Sequence, residues 1–174
     1  MGEKRLYFAY GSNINLDQMA IRCPDAQVLG PVVLENHQLL FRGNFNGHGV
    51  ATIEPHKGSK VYGLLWHITP ACERSLDVYE GFPRLYEKQT VTVKDKIGQE
   101  FPVMAYVMTP LCKEPAVPSN AYYNGILDGF RQNGLPDAAL KRAWEYSVKE
   151  VHAWTAQKNR TAVRLSKKRN DYER

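Results

Sequence analysis

Tyr7-Phe8-Ala9-Tyr10-Gly11-Ser12-Asn13 joins a predicted strand to a predicted helix in a chain of 174 residues. Residues 4–10 have the aromatic content of a short strand, and Asn13 or Asn15 can cap a helix that runs to about Cys23. The glycine between them permits a sharp turn and a close approach of another group. Successive N–H groups at such a turn favour an anion, so we expect a carboxylate or an oxyanion to bind there. The alternative is a plain strand–turn–helix junction with a capping serine.

A second candidate segment, residues 76–86, reads Leu-Asp-Val-Tyr-Glu-Gly-Phe-Pro-Arg-Leu-Tyr and spans the end of a predicted helix. Glu80 lies where the helix dipole is negative and its neighbours are aromatic, and both conditions raise a carboxyl pKa. A carboxyl group with a raised pKa suits general acid–base catalysis near neutral pH. Asp77, one helical turn earlier, is expected on the same face. The alternative for Glu80 is an exposed acidic residue before a glycine turn.

A third segment, Ser119-Asn120-Ala121-Tyr122-Tyr123, opens another predicted helix, with Ser119 as its cap. Tyr122 in the first turn can present its hydroxyl to a pocket. The alternative is a core aromatic residue whose hydroxyl reaches solvent. The loop of residues 44–49 is rich in glycine and asparagine and is either a lid or an ordinary loop.

The middle of the chain alternates short β-rich runs with turns. We predict paired strands at Val28–Leu34 and His37–Phe41, followed by Val50–Glu54, Lys60–His67 and a hairpin of Tyr86–Val93 with Glu100–Met108. Predicted helices begin after Thr69, with Pro70 in the first position, at Ser119 with a C-terminal Gly134, and at a cap Asp137 with an end near Glu150. This order predicts an α+β fold in which a mostly antiparallel sheet curls into a barrel with helices packed around it.

The composition is that of an ordinary globular protein, with 43% hydrophobic and 24% charged residues. No run approaches the roughly 20 apolar residues that cross a bilayer, and the N-terminal apolar run is too short for a signal peptide. We therefore expect a cytoplasmic protein that does not associate with membranes.

Cys23, Cys72 and Cys112 are far apart and are interpreted as reduced thiols. The histidines lack the paired spacing of metal ligands, so no metal site is expected.

The net charge of +5 lies at the C-terminal end of the chain. Residues 156–174 contain seven Lys and Arg against two Asp and Glu, which leaves residues 1–155 formally neutral. We interpret residues 1–155 as the domain and residues 156–174 as a basic C-terminal extension whose simplest role is solubility. The extension lacks the regular aromatic side chains that stack on bases, which argues against nucleic acid as a partner.

Three of these segments, taken in order, resemble the γ-glutamylcyclotransferase-like family. They are residues 7–13 with the Tyr-Gly-Ser-Asn motif, Glu80-Gly81 with Tyr86 after it, and Tyr122 upstream of Asn-Gly-Leu-Pro at 133–136. The likeness covers about residues 5–136, and the basic extension lies outside it. It implies a small barrel surrounded by helices, with a cavity at the end of the barrel.

The resemblance also implies an activity, the cyclisation of a γ-glutamyl group to 5-oxoproline with release of the attached amine. The substrate is then a small γ-glutamyl amino acid, peptide or amine, and neither a cofactor nor a metal ion is needed. Glu80 matches the catalytic acid and base of the family. The matching substrate-binding residues are Tyr7, Phe8, Ala9, Tyr10, Gly11, Ser12 and Asn13 of the loop, with Tyr86 and Tyr122 of the pocket.

Two other functions stay open on the sequence alone. One is a small-molecule binding or regulatory module of the same fold without turnover, since a fold does not fix a function. The other is a nucleic-acid-associated protein that uses the basic extension. The identity of the leaving amine and the oligomeric state are open as well, a homodimer being one candidate.

Overall fold

The computed structural model describes residues 4–172 and, in the last helix, side chains through residue 166. Within that range the chain forms five strands and four α-helices, with a short 3-10 helix at Ser12–Ile14. The strands are β1 (Arg5–Ala9), β2 (Gln27–Gly43), β3 (Gly49–Ile68), β4 (Tyr86–Lys94) and β5 (Glu100–Met108). The α-helices are α1 (Leu16–Arg22), α2 (Pro70–Glu80), α3 (Asn120–Gln132) and α4 (Asp137–Tyr172).

The strands close into a barrel in the order β1-β3-β2-β4-β5. Neighbouring strands run antiparallel except β1 and β5, which are parallel and pair at Tyr7 and Met104. The predicted α+β barrel is therefore confirmed, and so is the predicted hairpin of β4 with β5. Because β1 ends at the rim of this barrel, the turn that follows it lies at the end of the barrel.

The two strands predicted at Val28–Leu34 and His37–Phe41 do not pair with each other, so this prediction is wrong. They are consecutive parts of β2, and both pair with β3. The chain continues through Asn36, which adopts a positive φ of 56° at a register shift between Glu35 and His37. Only Val33 and Leu34 of β2 pair with β4, whereas residues 37–43 and 49–55 pair with each other as a two-stranded arm.

Local capping interactions set the helix starts that the sequence predicted. The side chains of Asn15, Thr69 and Ser119 each accept a hydrogen bond from a backbone N–H in the first turn of α1, α2 and α3. Gly81 ends α2 in the left-handed conformation, at φ 65°. The last helix differs from the prediction, since α4 passes Glu150 and continues to Tyr172.

The core fills the barrel and the space between the barrel and its helices. Its largest fully buried side chains include Phe8, Phe41, Leu64, Ile68, Leu76, Ile126 and Phe130. Helix α3 packs directly on the turn after β1, because a Cβ atom at Gly129 would lie only 2.7 Å from the Asn15 nitrogen. This close packing places the second half of α3 directly against the turn after β1. None of the helices in residues 4–172 is long and apolar enough to span a membrane.

Candidate active site

A cavity of about 250 Å³ opens at the end of the barrel, beside the turn after β1. Its walls come from elements that are distant in sequence, and tyrosine is the most frequent lining residue. The lining residues are Tyr7, Tyr10, Gly11, Ser12, Asn13, Asn44, Val50, Ala51, Tyr79, Glu80, Leu85, Tyr86, Tyr106 and Tyr122. The fold thus brings together the three segments that the sequence analysis selected.

Two of the predicted loop residues do not line this cavity. Phe8 and Ala9 are fully buried in the core. The ring of Phe8 packs on β3, where a Cβ atom at Gly63 would come within 2.3 Å of it. Side chains alternate across a strand, so Tyr7 and its neighbour Phe8 point to opposite faces. The other predicted residues, Tyr7, Tyr10, Gly11, Ser12, Asn13, Glu80, Tyr86 and Tyr122, all line the cavity.

Glu80 is the last residue of α2 and turns its carboxyl group into the cavity wall. Asn13 Nδ2 donates a hydrogen bond to Glu80 Oε1 at 2.8 Å. Burial raises the pKa of Glu80 to about 7, against the opposing effects of the Arg22 charge and the Asn13 hydrogen bond. The expected causes of a raised Glu80 pKa were the helix dipole and the aromatic neighbours, whereas loss of hydration is the leading cause.

Asn13 connects Glu80 to a second cavity residue and to a cation. Its Nδ2 also donates to the Tyr7 hydroxyl at 2.9 Å, while its Oδ1 accepts from Arg22 Nη1 at 2.7 Å. The Arg22 guanidinium stacks on the Tyr79 ring, 3.8 Å from its centroid. Arg22 was not among the predicted site residues, since nothing in the local sequence shows that the last turn of α1 folds back on the preceding turn.

Tyr86 and Tyr122 both bind the backbone of Ala51 on β3. The Tyr86 hydroxyl donates to the Ala51 carbonyl oxygen at 2.5 Å, and the Tyr122 hydroxyl accepts from the Ala51 N–H at 3.1 Å. Gly11 lies against the same place, since a Cβ atom there would be 3.1 Å from Ala51 Cβ and 3.6 Å from the Tyr122 hydroxyl. A side chain at position 11 would therefore crowd the cavity.

Asp77 shares helix α2 with Glu80 but has a different environment. It accepts a hydrogen bond from the Tyr106 hydroxyl at 2.5 Å and forms an ion pair with Lys88 at 2.8 Å. Lys88 also pairs with Glu73. These contacts join α2 to β4 and β5, so Asp77 holds the helix that carries Glu80 in place.

A second cavity, of about 330 Å³, lies between the two-stranded arm and the β4–β5 hairpin. It contains none of the predicted site residues. Its buried cation, Arg42, is paired with Glu54 and with Glu150 of α4. In the described part of the chain, no cluster of three or more His, Cys, Asp or Glu side chains is arranged to hold a metal ion. The chemistry-bearing residues therefore converge on the cavity beside Glu80.

Comparisons with known proteins agree on one family. A family model described as gamma-glutamyl cyclotransferase, AIG2-like, matches residues 7–124. The gamma-glutamylcyclotransferase of Mus musculus is 36% identical over 143 residues, 78% of this chain and 74% of that protein. The protein of the same name from Homo sapiens is 35% identical over 142 residues, 77% and 74% of the two chains. A solved structure called gamma-glutamyl cyclotransferase gives a TM-score of 0.74 at 31% identity, covering 81% of this chain and 86% of that one.

Proposed function

This chain belongs to the gamma-glutamyl cyclotransferase, AIG2-like family, and we propose that Glu80 is the acid–base group of its reaction. The protein is an enzyme, a γ-glutamylcyclotransferase that acts on small γ-glutamyl compounds and yields 5-oxoproline with the free amine. A non-catalytic binding module is not favoured. The observation that carries the proposal is the Glu80 carboxyl group, with a pKa of about 7, on the wall of the cavity that the family segments enclose.

The reaction needs a group that takes up and returns protons at neutral pH. The α-amine of the substrate attacks its own γ-carbonyl carbon, a new C–N bond closes the five-membered lactam, and the bond to the leaving nitrogen breaks. The α-amine starts as an ammonium ion, and two of its three protons end on the leaving amine. A carboxylate with a pKa near 7 can accept a proton from the ammonium and deliver it to the departing nitrogen. No proton is gained or lost from solvent over the whole reaction.

The remaining cavity residues bind and orient the substrate in this proposal. Backbone amides of the turn at residues 10–13 are suited to the α-carboxylate or to the oxyanion, as are amides at other sharp turns. The Tyr86 and Tyr122 hydroxyls, fixed on Ala51, shape the wall next to Gly11 of this turn. Because nucleophile and target are in one molecule, holding the γ-glutamyl group folded supplies much of the acceleration. Phe8 and Ala9 contribute through the backbone of β1, since their side chains are in the core.

The test compares Glu80→Gln with the wild type, using formation of 5-oxoproline from a panel of γ-glutamyl amino acids, peptides and amines. We expect the variant to fold and to lose activity, because the amide cannot exchange the proton. The wild-type rate should rise with pH through about 7 as Glu80 ionises. Glu145→Gln, which neutralises an exposed carboxylate on α4, is the matched control and should keep wild-type activity. Near-normal turnover by Glu80→Gln would contradict the role of Glu80.

Two further proposals concern the location of the enzyme in the cell and its oligomeric state. We propose a cytoplasmic location, supported by three buried cysteines that form no disulfide. We also propose a homodimer as the assembly to be tested. Fractionation of cells measures the location, and sedimentation equilibrium of the purified protein measures the assembly.

A further inference from the structure

Arg22 lies behind the active-site cavity and contacts the turn that forms its wall. Nη1 donates to Asn13 Oδ1 at 2.7 Å and to Ser12 Oγ at 3.3 Å, and Nη2 donates to Gln18 Oε1 at 2.7 Å. We propose that Arg22 is a positioning residue that, by holding the oxygen of Asn13, directs the Tyr7 hydroxyl proton into the cavity to bind the reacting γ-carbonyl oxygen. This inference rests on the proposed function of Glu80.

The first step is the orientation of the Asn13 amide. A guanidinium group has N–H donors and no acceptor, so the atom of Asn13 that faces Arg22 must be the oxygen. The NH₂ group then points the other way. Its two N–H donors reach Glu80 Oε1 at 2.8 Å and the Tyr7 hydroxyl oxygen at 2.9 Å. Arg22 thereby fixes which partners of Asn13 accept and which donate.

The second step concerns the proton on Tyr7. Because the Tyr7 oxygen accepts from Asn13, its own O–H cannot point at Asn13 and must use another acceptor. Among the backbone and side-chain atoms that the structure describes, the Tyr7 hydroxyl forms no other hydrogen bond. Tyr7 is 3% exposed and lines the cavity. The Tyr106 ring packs edge-on against the Tyr7 ring, with centroids 5.8 Å apart. The structure therefore holds a buried O–H donor, without a partner, beside Glu80.

The third step is the chemistry of such a donor. Negative charge develops on the γ-carbonyl oxygen when the amine attacks, and a fixed donor in a dry site stabilises that charge. Burial, followed by the charge of Glu80, raises the pKa of Tyr7 well above its ordinary value, so the hydroxyl keeps its proton. Tyr7 would thus bind the oxyanion while Glu80, held by the same asparagine, moves the proton.

Arg22 also acts on Glu80 through its charge. The ionisable groups that interact with Glu80 come from every side of the cavity, namely Arg22 of α1, Tyr7 of β1, Tyr10 after it, Tyr86 of β4, Tyr106 of β5 and Tyr122 of α3. Among these groups Arg22 is the cation, and it lowers the pKa of Glu80. Removing Arg22 should consequently move the rise of activity to higher pH.

The experiment measures kcat, KM and the pH profile of 5-oxoproline formation for Arg22→Met, Arg22→Lys and Tyr7→Phe. For Tyr7→Phe we expect kcat to fall on the order of 100-fold, the usual effect of losing one oxyanion donor. For Arg22→Met we expect a fall of about 10- to 100-fold, a KM within about threefold and a profile shifted to higher pH. Arg22→Lys keeps the charge and should restore the pH profile and part of kcat. Arg74→Met removes an exposed arginine of α2 and serves as the control.

A double variant separates the proposed route from a general loss of stability. If Arg22 acts through Tyr7, adding Tyr7→Phe to Arg22→Met should lower kcat much less than Tyr7→Phe lowers it in the wild type. Fully multiplicative losses, or an Arg22→Met enzyme with wild-type kcat and pH profile, would overturn the inference. Those results with an inactive Glu80→Gln overturn this inference alone, whereas an active Glu80→Gln contradicts the proposed role of Glu80 on which the inference rests. Thermal unfolding of each variant shows that it is folded.

Discussion

At the scale of single residues, Glu80, the proposed acid–base group, also destabilises the fold. Its carboxyl group has given up most of its hydration, and Asn13 and Arg22 compensate only in part, so its pKa stands near 7. Burial of this kind disfavours the charged form. The protein therefore keeps a proton at a pH where an unfolded chain has already released it.

The difference between the pKa of Glu80 in the folded and in the unfolded chain predicts how stability depends on pH. Between pH 4.5 and about 7 the folded state binds a proton at Glu80 that the unfolded state does not, so the free energy of unfolding falls as pH rises through this window. Glu80→Gln removes the contribution, because glutamine does not ionise. The free energy of unfolding of the variant, relative to that of the wild type, should therefore be higher at pH 8 than at pH 5 by on the order of 2 kcal/mol.

Urea unfolding of both proteins at pH 5 and pH 8 measures this difference. Glu145→Gln is again the control, because its carboxylate is exposed. The stability difference between Glu80→Gln and the wild type should grow with pH, and an equal difference at both pH values would contradict the burial of this carboxyl group.

At the scale of secondary-structure elements, the position of Tyr122 depends on how closely α3 approaches the turn after β1. Gly129 provides that approach, because a Cβ atom there would lie 2.7 Å from the Asn15 nitrogen and 2.9 Å from two further backbone atoms. Backbone cannot move aside as the end of a flexible side chain can. The two helical glycines of α3 therefore differ, since the atom nearest to Gly125 is the side-chain Nε2 of Gln18, at 2.8 Å.

We predict opposite effects for Gly129→Ala and Gly125→Ala. The first should push α3 away from the turn, weaken the bond of Tyr122 to Ala51, lower the unfolding free energy by about 1–3 kcal/mol and raise KM. The second should be neutral or stabilising, since alanine is the better helix former by up to about 1 kcal/mol. Chemical unfolding and steady-state kinetics of the pair measure both. Equal effects of the two substitutions would show that α3 does not set the cavity wall.

The elements also show which features a single sequence reveals. The caps at Thr69 and Ser119 were predictable, because each interaction joins residues three positions apart. The continuity of β2 was not, because its residues near Asn36 resemble a turn and only pairing with β3 carries the strand through them. Glu80 and Tyr122, which line the cavity, were predicted from their motifs. Arg22 was missed because its contacts with the cavity wall depend on how α1 packs back on the preceding turn.

At the scale of the whole molecule, α4 connects the barrel to the basic extension. Its first half packs against the arm, where Glu150 binds the buried Arg42 with a closest distance of 2.6 Å. Beyond Thr155 the described side chains, through residue 166, are exposed, and among them Lys158 pairs with Glu114 at 3.6 Å. Lys158 also lies over the Trp154 ring at 3.7 Å. We propose that the domain ends near residue 155, although the helix itself continues.

A chain ending after Thr155 should therefore fold and turn over substrate like the full chain. The ion pair and the ring stacking of Lys158 lie on the surface, where such interactions contribute about 1 kcal/mol or less each. Glu150→Gln in the full chain should be more harmful, costing about 1–3 kcal/mol, since it leaves the buried Arg42 with Glu54 as its carboxylate partner. Thermal unfolding and 5-oxoproline formation measure both proteins.

The same shortened chain tests whether the basic extension binds nucleic acid. The extension contains the whole excess of +5, so any salt-sensitive affinity for RNA or DNA that belongs to it must disappear with residues 156–174. Titration of a fluorescent oligonucleotide at two salt concentrations compares the full and shortened chains. We expect both to bind weakly, because the extension lacks regularly spaced aromatic side chains for base stacking. Tight binding by the full chain alone would show that the extension binds nucleic acid. In the activity assay, a loss of 5-oxoproline formation on shortening would show that the domain ends beyond residue 155.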